Sequence, residues 1–230
     1  MDSKRIAAEH AVTYIEDGMV VGLGTGSTAY WAIQKIGERI KGGLKVRAVA
    51  TSRQSERLAV ENGIPLVGFD EINGIDLTID GADEVDQDLN LIKGGGGALL
   101  REKIVAASSR KVIIIADESK LVGQLGAFPL PVEIAVFGSP LTLQHLGRFG
   151  RPLKLRAADG QPFITDNGNY IIDCQLNAIP HPLKLHDEIN AIPGVVVNGL
   201  FVQMADLVII GRHDGTINEL IRTKPGTAQS

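Results

Sequence analysis

The chain has 230 residues, 44% hydrophobic and 22% charged, with a formal net charge of −4; that is the balance of an ordinary globular protein, long enough for one large α/β domain or two smaller ones, and not that of a basic nucleic-acid binder. One cysteine, Cys174, excludes an internal disulfide and suits a reducing compartment. The charged start MDSKRIAAEH lacks the apolar segment of a signal peptide, and no apolar run approaches the ~20 residues that span a bilayer, so a soluble, cytoplasmic protein is expected.

Room for one helix precedes MVVGLG (19–24), a short β-branched run that predicts the first strand. STAYWAIQKIGERI follows with helical spacing and Ser27 or Thr28 as its N-cap. KVRAVA (45–50) predicts a second strand, and SRQSERLAVENG a helix stopped by Gly63. IDLTID (75–80) alternates apolar and polar residues, as a half-buried strand does. A helix from about Gly97 to Ser109 precedes KVIIIAD (111–117), apolar enough to be a central strand. This alternation predicts a parallel sheet with helices on both faces.

The rhythm breaks at GAFPLPVEIAVFG, after which segments shorten and prolines recur. TDNGNYIIDC predicts a turn at Asp166–Gly168 and then a strand, and HPLKLHDEINAIPGVVV a helix, a turn and a strand. A smaller α+β unit over 128–198 is expected, with ADLVIIG (205–211) returning to a main unit of 1–127 and 199–230. The tail TKPGTAQS (223–230) has the composition of a disordered end.

Three segments fall where such a sheet binds ligands, at the carboxyl ends of its strands. GLGTGST (22–28) joins the first strand to a helix, and backbone amides at a helix start bind anions. The dinucleotide fingerprint would need glycine at position 27, where Ser27 stands, and no acid follows the second strand to hold a ribose. The hydroxyls of Thr25, Ser27 and Thr28 suit a small phosphate monoester instead. DGAD (80–83) brings two carboxylates to the same edge. A calcium loop starting at Asp86 would need glycine at 91 and glutamate at 97, but Leu91 and Gly97 are there. KGGGG (93–97) places Lys93 and bare amides where a developing oxyanion would be held. Glu102, flanked on its helix by Ala98 and Ala106, has small neighbours that exclude water and raise a carboxylate's pKa. Lys120 follows the KVIIIAD strand at the same edge. The histidines (10, 145, 181, 186 and 213) show no metal spacing; His181 and His186, five apart, read as structural, and Cys174 as a buried small hydrophobe.

GTGST, DGADE, KGGGGAL-x-REK and ADESK, followed by PLPVE, TDNGN and AIPGVV, closely resemble ribose-5-phosphate isomerase of type A over nearly the whole chain. The resemblance implies a Rossmann-like, mostly parallel sheet with a smaller α+β domain that serves oligomer contact. It implies an aldose–ketose isomerase of the non-oxidative pentose phosphate pathway, interconverting ribose 5-phosphate and ribulose 5-phosphate with neither metal nor other cofactor. A cytoplasmic homo-oligomer, dimer or tetramer, is implied too. Carried over by position, the phosphate loop is Thr25, Gly26, Ser27 and Thr28. The second substrate segment is Asp80, Gly81, Ala82 and Asp83, and the third Lys93, Gly94, Gly95 and Gly96. Glu102 is the proton acceptor and Lys120 a substrate contact, while Lys4 is a looser match to a phosphate-binding lysine. The family's GGGAAL reads GGGGAL here, which leaves the site undisturbed.

The chemistry fits that placement. One base must reach both C1 and C2, and fixed donors must hold a cis-enediolate. Glu102 supplies the base, Lys93 and the glycine amides the donors, and Asp80 or Asp83 takes hydroxyl protons. A non-catalytic sugar-phosphate sensor would not need Glu102, and a phosphosugar hydrolase or deaminase would want a histidine that the motifs lack.

Overall fold

The computed structural model describes residues 2–222 and runs α1 (Ser3–Val12), β1 (Val20–Leu23), α2 (Ser27–Lys41), β2 (Arg47–Ala50), α3 (Arg53–Glu61), β3 (Ile75–Gly81), β4 (Glu84–Val85), β5 (Leu91–Ile92), α4 (Leu99–Ala107) and β6 (Ser109–Asp117). It continues β7 (Leu130–Ile134), α5 (Ser139–Leu146), β8 (Leu153–Leu155), β9 (Ala157–Ala158), β10 (Gln161–Pro162), β11 (Tyr170–Cys174), α6 (Pro182–Asn190), β12 (Val195–Asn198), β13 (Leu200–Phe201), β14 (Leu207–Gly211) and β15 (Ile217–Ile221). The tail from residue 223, expected to be disordered, lies outside the described residues. No helix among them is long and apolar enough to cross a membrane.

The main sheet has the order β15–β14–β6–β3–β1–β2 and is parallel except for β15 at its edge. The unbroken apolar run Val112–Ala116 of β6 follows from burial on both faces. Ile113 and Ile115 pack with Ala7, Ala11, Ile33 and Ile36 of α1 and α2, while Val112, Ile114 and Ala116 pack with Ala106 of α4 and with Phe201. Each such aliphatic side chain, fully buried, contributes roughly 1.5–3 kcal/mol. This is the Rossmann-like, mostly parallel arrangement that the strand–helix rhythm and the family resemblance implied.

A second, antiparallel sheet has the order β12–β7–β11–β8. Leu130, Val132, Ile134, Ile172 and Cys174 form its core with Leu146 of α5 and Ile189 of α6. A small sheet, β13–β5–β4, ties the two layers together, and Ile92 and Leu200 belong to the second core although they flank the main one in sequence. Two-residue strands carry no periodicity, which is why β4, β5 and β13 have no signature in the sequence. The edge strand β15 lies beyond the last strand foreseen, and its INELI run is only half-buried.

Two helix starts differ from expectation. The N-cap of α2 is Gly26, not Ser27 or Thr28, and no side chain caps it, so its first amides stay open. Helix α4 starts at Leu99 and ends at Ala107, shorter than 97–109, because the glycine run makes a turn of its own (Gly97 N–H to Gly94 C=O, 2.9 Å) and Ser109 already belongs to β6.

Candidate active site

The turns after β1, β3 and β6 meet at the carboxyl edge of the sheet and enclose a cavity of about 120 Å³. Residues 25–28, 81–83 and 93–96 line it, together with Lys4, Glu102 and Lys120. Of the site residues that the family resemblance implied, only Asp80 lies behind the wall. A larger hollow of about 1000 Å³ sits among Leu89, Pro180, His181 and Arg222, but its lining holds neither a glutamate nor a glycine amide. The convergent chemistry is in the smaller one.

Asp80, Lys93 and Glu102 form a buried ionic triad. Their exposures are 2%, 3% and 4%. The Lys93 ammonium donates to the Gly81 carbonyl (2.6 Å) and stands 3.1 Å from Asp80 Oδ2 and 3.3 Å from Glu102 Oε1. Burial alone would push Lys93 down, but the Asp80 and Glu102 carboxylates outweigh it and hold Lys93 charged, above its ordinary value. For Glu102 desolvation wins: it pushes the carboxyl up to about 8, against the pull of Lys93 and with a further push from Asp80. Glu102 Oε2 is buried with no hydrogen-bond partner among the described residues. That is the free lone pair a base requires.

Asp80 is fully engaged elsewhere. Its Oδ1 accepts from the Thr25 and Gly81 amides (3.1 and 2.7 Å), tying the loop after β1 to the triad. Asp83 faces the cavity, and its Oδ2 accepts from the Gly95 amide at 2.7 Å.

At the other end, Lys4 of α1 donates to Ser27 Oγ at 3.1 Å, beside the uncapped start of α2. Thr25 lines the cavity, but its hydroxyl turns away into a buried cluster with Thr51 (2.8 Å), Ser52 (2.8 Å) and Ser55 (3.1 Å). The loop's available hydroxyls are therefore those of Ser27 and Thr28. Lys4, Lys120 and the helix N-terminus gather positive charge and open donors beside them, which is the chemistry that favours an anion.

The glycine run has a reason at each end. Gly94 and Gly97 adopt φ of 102° and 80°, and a side chain on Gly95 would stand 2.5 Å from Asp83 Oδ1. Sequence reasoning missed what holds the run in place. Arg156, between β8 and β9, donates to the Gly94 carbonyl (2.8 Å) and the Gly95 carbonyl (3.2 Å). It also missed Lys103, next to Glu102, whose ammonium donates to the carbonyls of Asn198 and Leu200 (2.7 Å each) and is pulled down by burial to about 7. His186 engages Asn198 and Asn190, and burial pushes the Cys174 thiol up to about 12.

The model of the family described as ribose 5-phosphate isomerase A (phosphoriboisomerase A) matches residues 47–215. The chain is 55% identical to the ribose-5-phosphate isomerase A of Bacillus mycoides over 94% of its own length and 98% of that protein. It is 53% identical to the one from Sphingopyxis alaskensis, over 92% of each. Among solved structures, the Plasmodium falciparum ribose 5-phosphate isomerase superposes with a TM-score of 0.93 at 43% identity, covering 96% of this chain and 99% of that one. A D-ribose-5-phosphate isomerase in complex with phospho-erythronic acid gives the same score and identity, with 96% and 98% covered.

Proposed function

This chain belongs to the ribose 5-phosphate isomerase A family and interconverts D-ribose 5-phosphate and D-ribulose 5-phosphate, and we propose that Glu102 carries the proton between C1 and C2 in that reaction. The observation that carries the assignment is the unpartnered Oε2 of Glu102, buried at a cavity that also holds Lys93 and a phosphate loop. Ribose 5-phosphate enters with its phosphate against Ser27, Thr28, Lys4 and Lys120. Asp83, which faces the cavity, takes the O1 hydroxyl proton and passes it to the ring oxygen as the C1–O4 bond breaks, and later carries a proton from O2 to O1. Asp80, behind the wall, holds Lys93 in place. Glu102 then removes the proton from C2 and returns it to C1. As it does so its own charge is neutralised and negative charge appears on the enediolate, so the Lys93 ammonium, ion-paired with Glu102 in the free site, can turn to the enediolate oxygen. No step calls for a metal or other cofactor. Incubating the pure protein with ribose 5-phosphate and assaying ketose tests the reaction.

Two results bear on the roles. Alanine at Ser27 and Thr28 together should raise KM more than it lowers kcat, because phosphate contacts persist from ground state to transition state; unphosphorylated ribose should not compete. An unchanged KM would move the phosphate site. The pH profile is the second. Because the base must be deprotonated and desolvation pushes the Glu102 carboxyl up, kcat/KM should rise with pH along an acid limb that lies above the ordinary carboxylate range. An acid limb in the ordinary carboxylate range would remove Glu102 from the role.

In the same reading the protein is a cytoplasmic homo-oligomer of the non-oxidative pentose phosphate pathway, dimeric or tetrameric, with residues 128–198 as a separate unit that makes subunit contacts. Phe137 and Leu141, 96% and 64% exposed on that unit, support such a contact.

A further inference from the structure

We propose that Arg156, reaching across from the antiparallel layer, is a positioning residue for catalysis: it holds two carbonyls of the glycine run away from the cavity and so aims the Gly96 amide at the enediolate. The inference deepens the reading of the site given above and rests on it.

A trans peptide is planar, with its C=O and N–H pointing in opposite directions. Fixing a carbonyl therefore fixes the direction of the next residue's N–H. The Gly94 carbonyl accepts from Arg156, and the amide across that peptide, Gly95 N–H, points to Asp83 at 2.7 Å. The Gly95 carbonyl accepts from the same guanidinium nitrogen, so the Gly96 N–H is turned the other way, towards the cavity that Gly96 lines. It has no protein acceptor among the described residues. One cation thereby sets both amides, one to orient the Asp83 carboxylate and one to face the reacting end of the sugar. A guanidinium on the carbonyl oxygens also polarises those peptides, which strengthens their N–H donors.

Arg156 is built to hold still. Its Nε and Nη2 pair with the two carboxylate oxygens of Asp173 on β11, the Nε contact at 3.0 Å, and the two side chains are only 15% and 22% exposed. Its backbone is pinned between Ile171 and Phe163, at 2.8 Å on each side. Phe163 in turn packs so closely on Gly97 that a side chain there would stand 2.6 Å from its ring. Bidentate pairing leaves the guanidinium one defined orientation, with Nη1 directed at the glycine run. A lysine has no such fork. Serving both Asp173 and two carbonyls needs the planar group.

The test compares wild-type protein with Arg156→Lys, which keeps a cation beside Asp173, and Arg156→Met, measuring kcat, KM and the binding of phospho-erythronic acid. That compound carries a phosphate at one end and a carboxylate where the enediolate oxygens would lie. A misdirected donor about 1 Å out of place costs up to about a hundredfold, so kcat should fall by roughly ten- to a hundredfold in both variants. KM for ribose 5-phosphate should change little, and the affinity for phospho-erythronic acid should fall by a factor like that in kcat. A purely structural staple would instead lower thermal stability while folded protein kept its kcat, and that result, or a fallen kcat with unchanged phospho-erythronic acid binding, would overturn the proposal. Wild-type protein that failed to bind phospho-erythronic acid would overturn the reading of the site itself.

Discussion

Lys93→Met should lose about a hundredfold in kcat with little change in KM. The enediolate carries a charge that the bound sugar lacks, and one preorganised donor in a dry site is worth on the order of 3 kcal/mol. Two further effects follow from the triad. Lys93 is the cation within 4 Å of both Asp80 and Glu102 among the described residues. Removing one partner of a buried ion pair costs about 3–5 kcal/mol of stability, so the variant should melt lower and its kinetics belong at a temperature where it is fully folded. Lys93 also pulls Glu102 down. Without that pull Glu102 holds its proton to higher pH, and the acid limb of kcat/KM should move above its wild-type position. Part of the lost rate should then return as pH rises. A change confined to KM would make Lys93 a clamp on the ground-state sugar and leave the oxyanion to the backbone amides.

Much of this was legible in the sequence because its determinants are local. GTGST, DGAD and KGGGG each put a turn at the end of a strand or the start of a helix, and the carboxyl edge of a parallel sheet brings such turns together whatever the spacing between them. Glu102 was legible for a related reason: Ala98 and Ala106 one turn away on the same face foretell a dry pocket. Arg156 was not legible, because its meaning lies in partners 62 residues upstream and 17 downstream. An arginine in a polar stretch of short strands reads as surface. The same limit hid the split between the two aspartates. DGAD announces a pair of acids, but only the backbone amides of Thr25 and Gly81, which occupy one oxygen of Asp80, show that Asp83 is the one left facing the cavity. The hydroxyl of Thr25 teaches the same lesson, since its partners Thr51, Ser52 and Ser55 come from the turn after β2 and the start of α3 rather than from its own loop.

The largest effect should come from Glu102→Gln. The amide matches the carboxylate in volume and can still accept from the Lys93 ammonium through its oxygen, so the variant should fold and bind phosphate as the wild type does. It cannot accept the carbon-bound proton. Loss of a general base costs about 10²–10⁴ in rate, and the upper end is expected. Asp80 has its oxygens occupied by amides and by the Lys93 ammonium, Asp83 is tied to the Gly95 amide and serves the hydroxyl protons, and no histidine lines the cavity. Exchange gives a sharper readout than rate. In D₂O the wild-type protein should carry solvent deuterium into the transferred position whenever the Glu102 proton exchanges during turnover, and the glutamine variant should show almost none while still binding substrate. The pH profile should change with it: the acid limb assigned to Glu102 should vanish from whatever residual activity remains. Near-normal deuterium entry in a folded Glu102→Gln protein would make Asp83 the carbon base, and Glu102 would then be a buried counter-charge that does no more than hold Lys93.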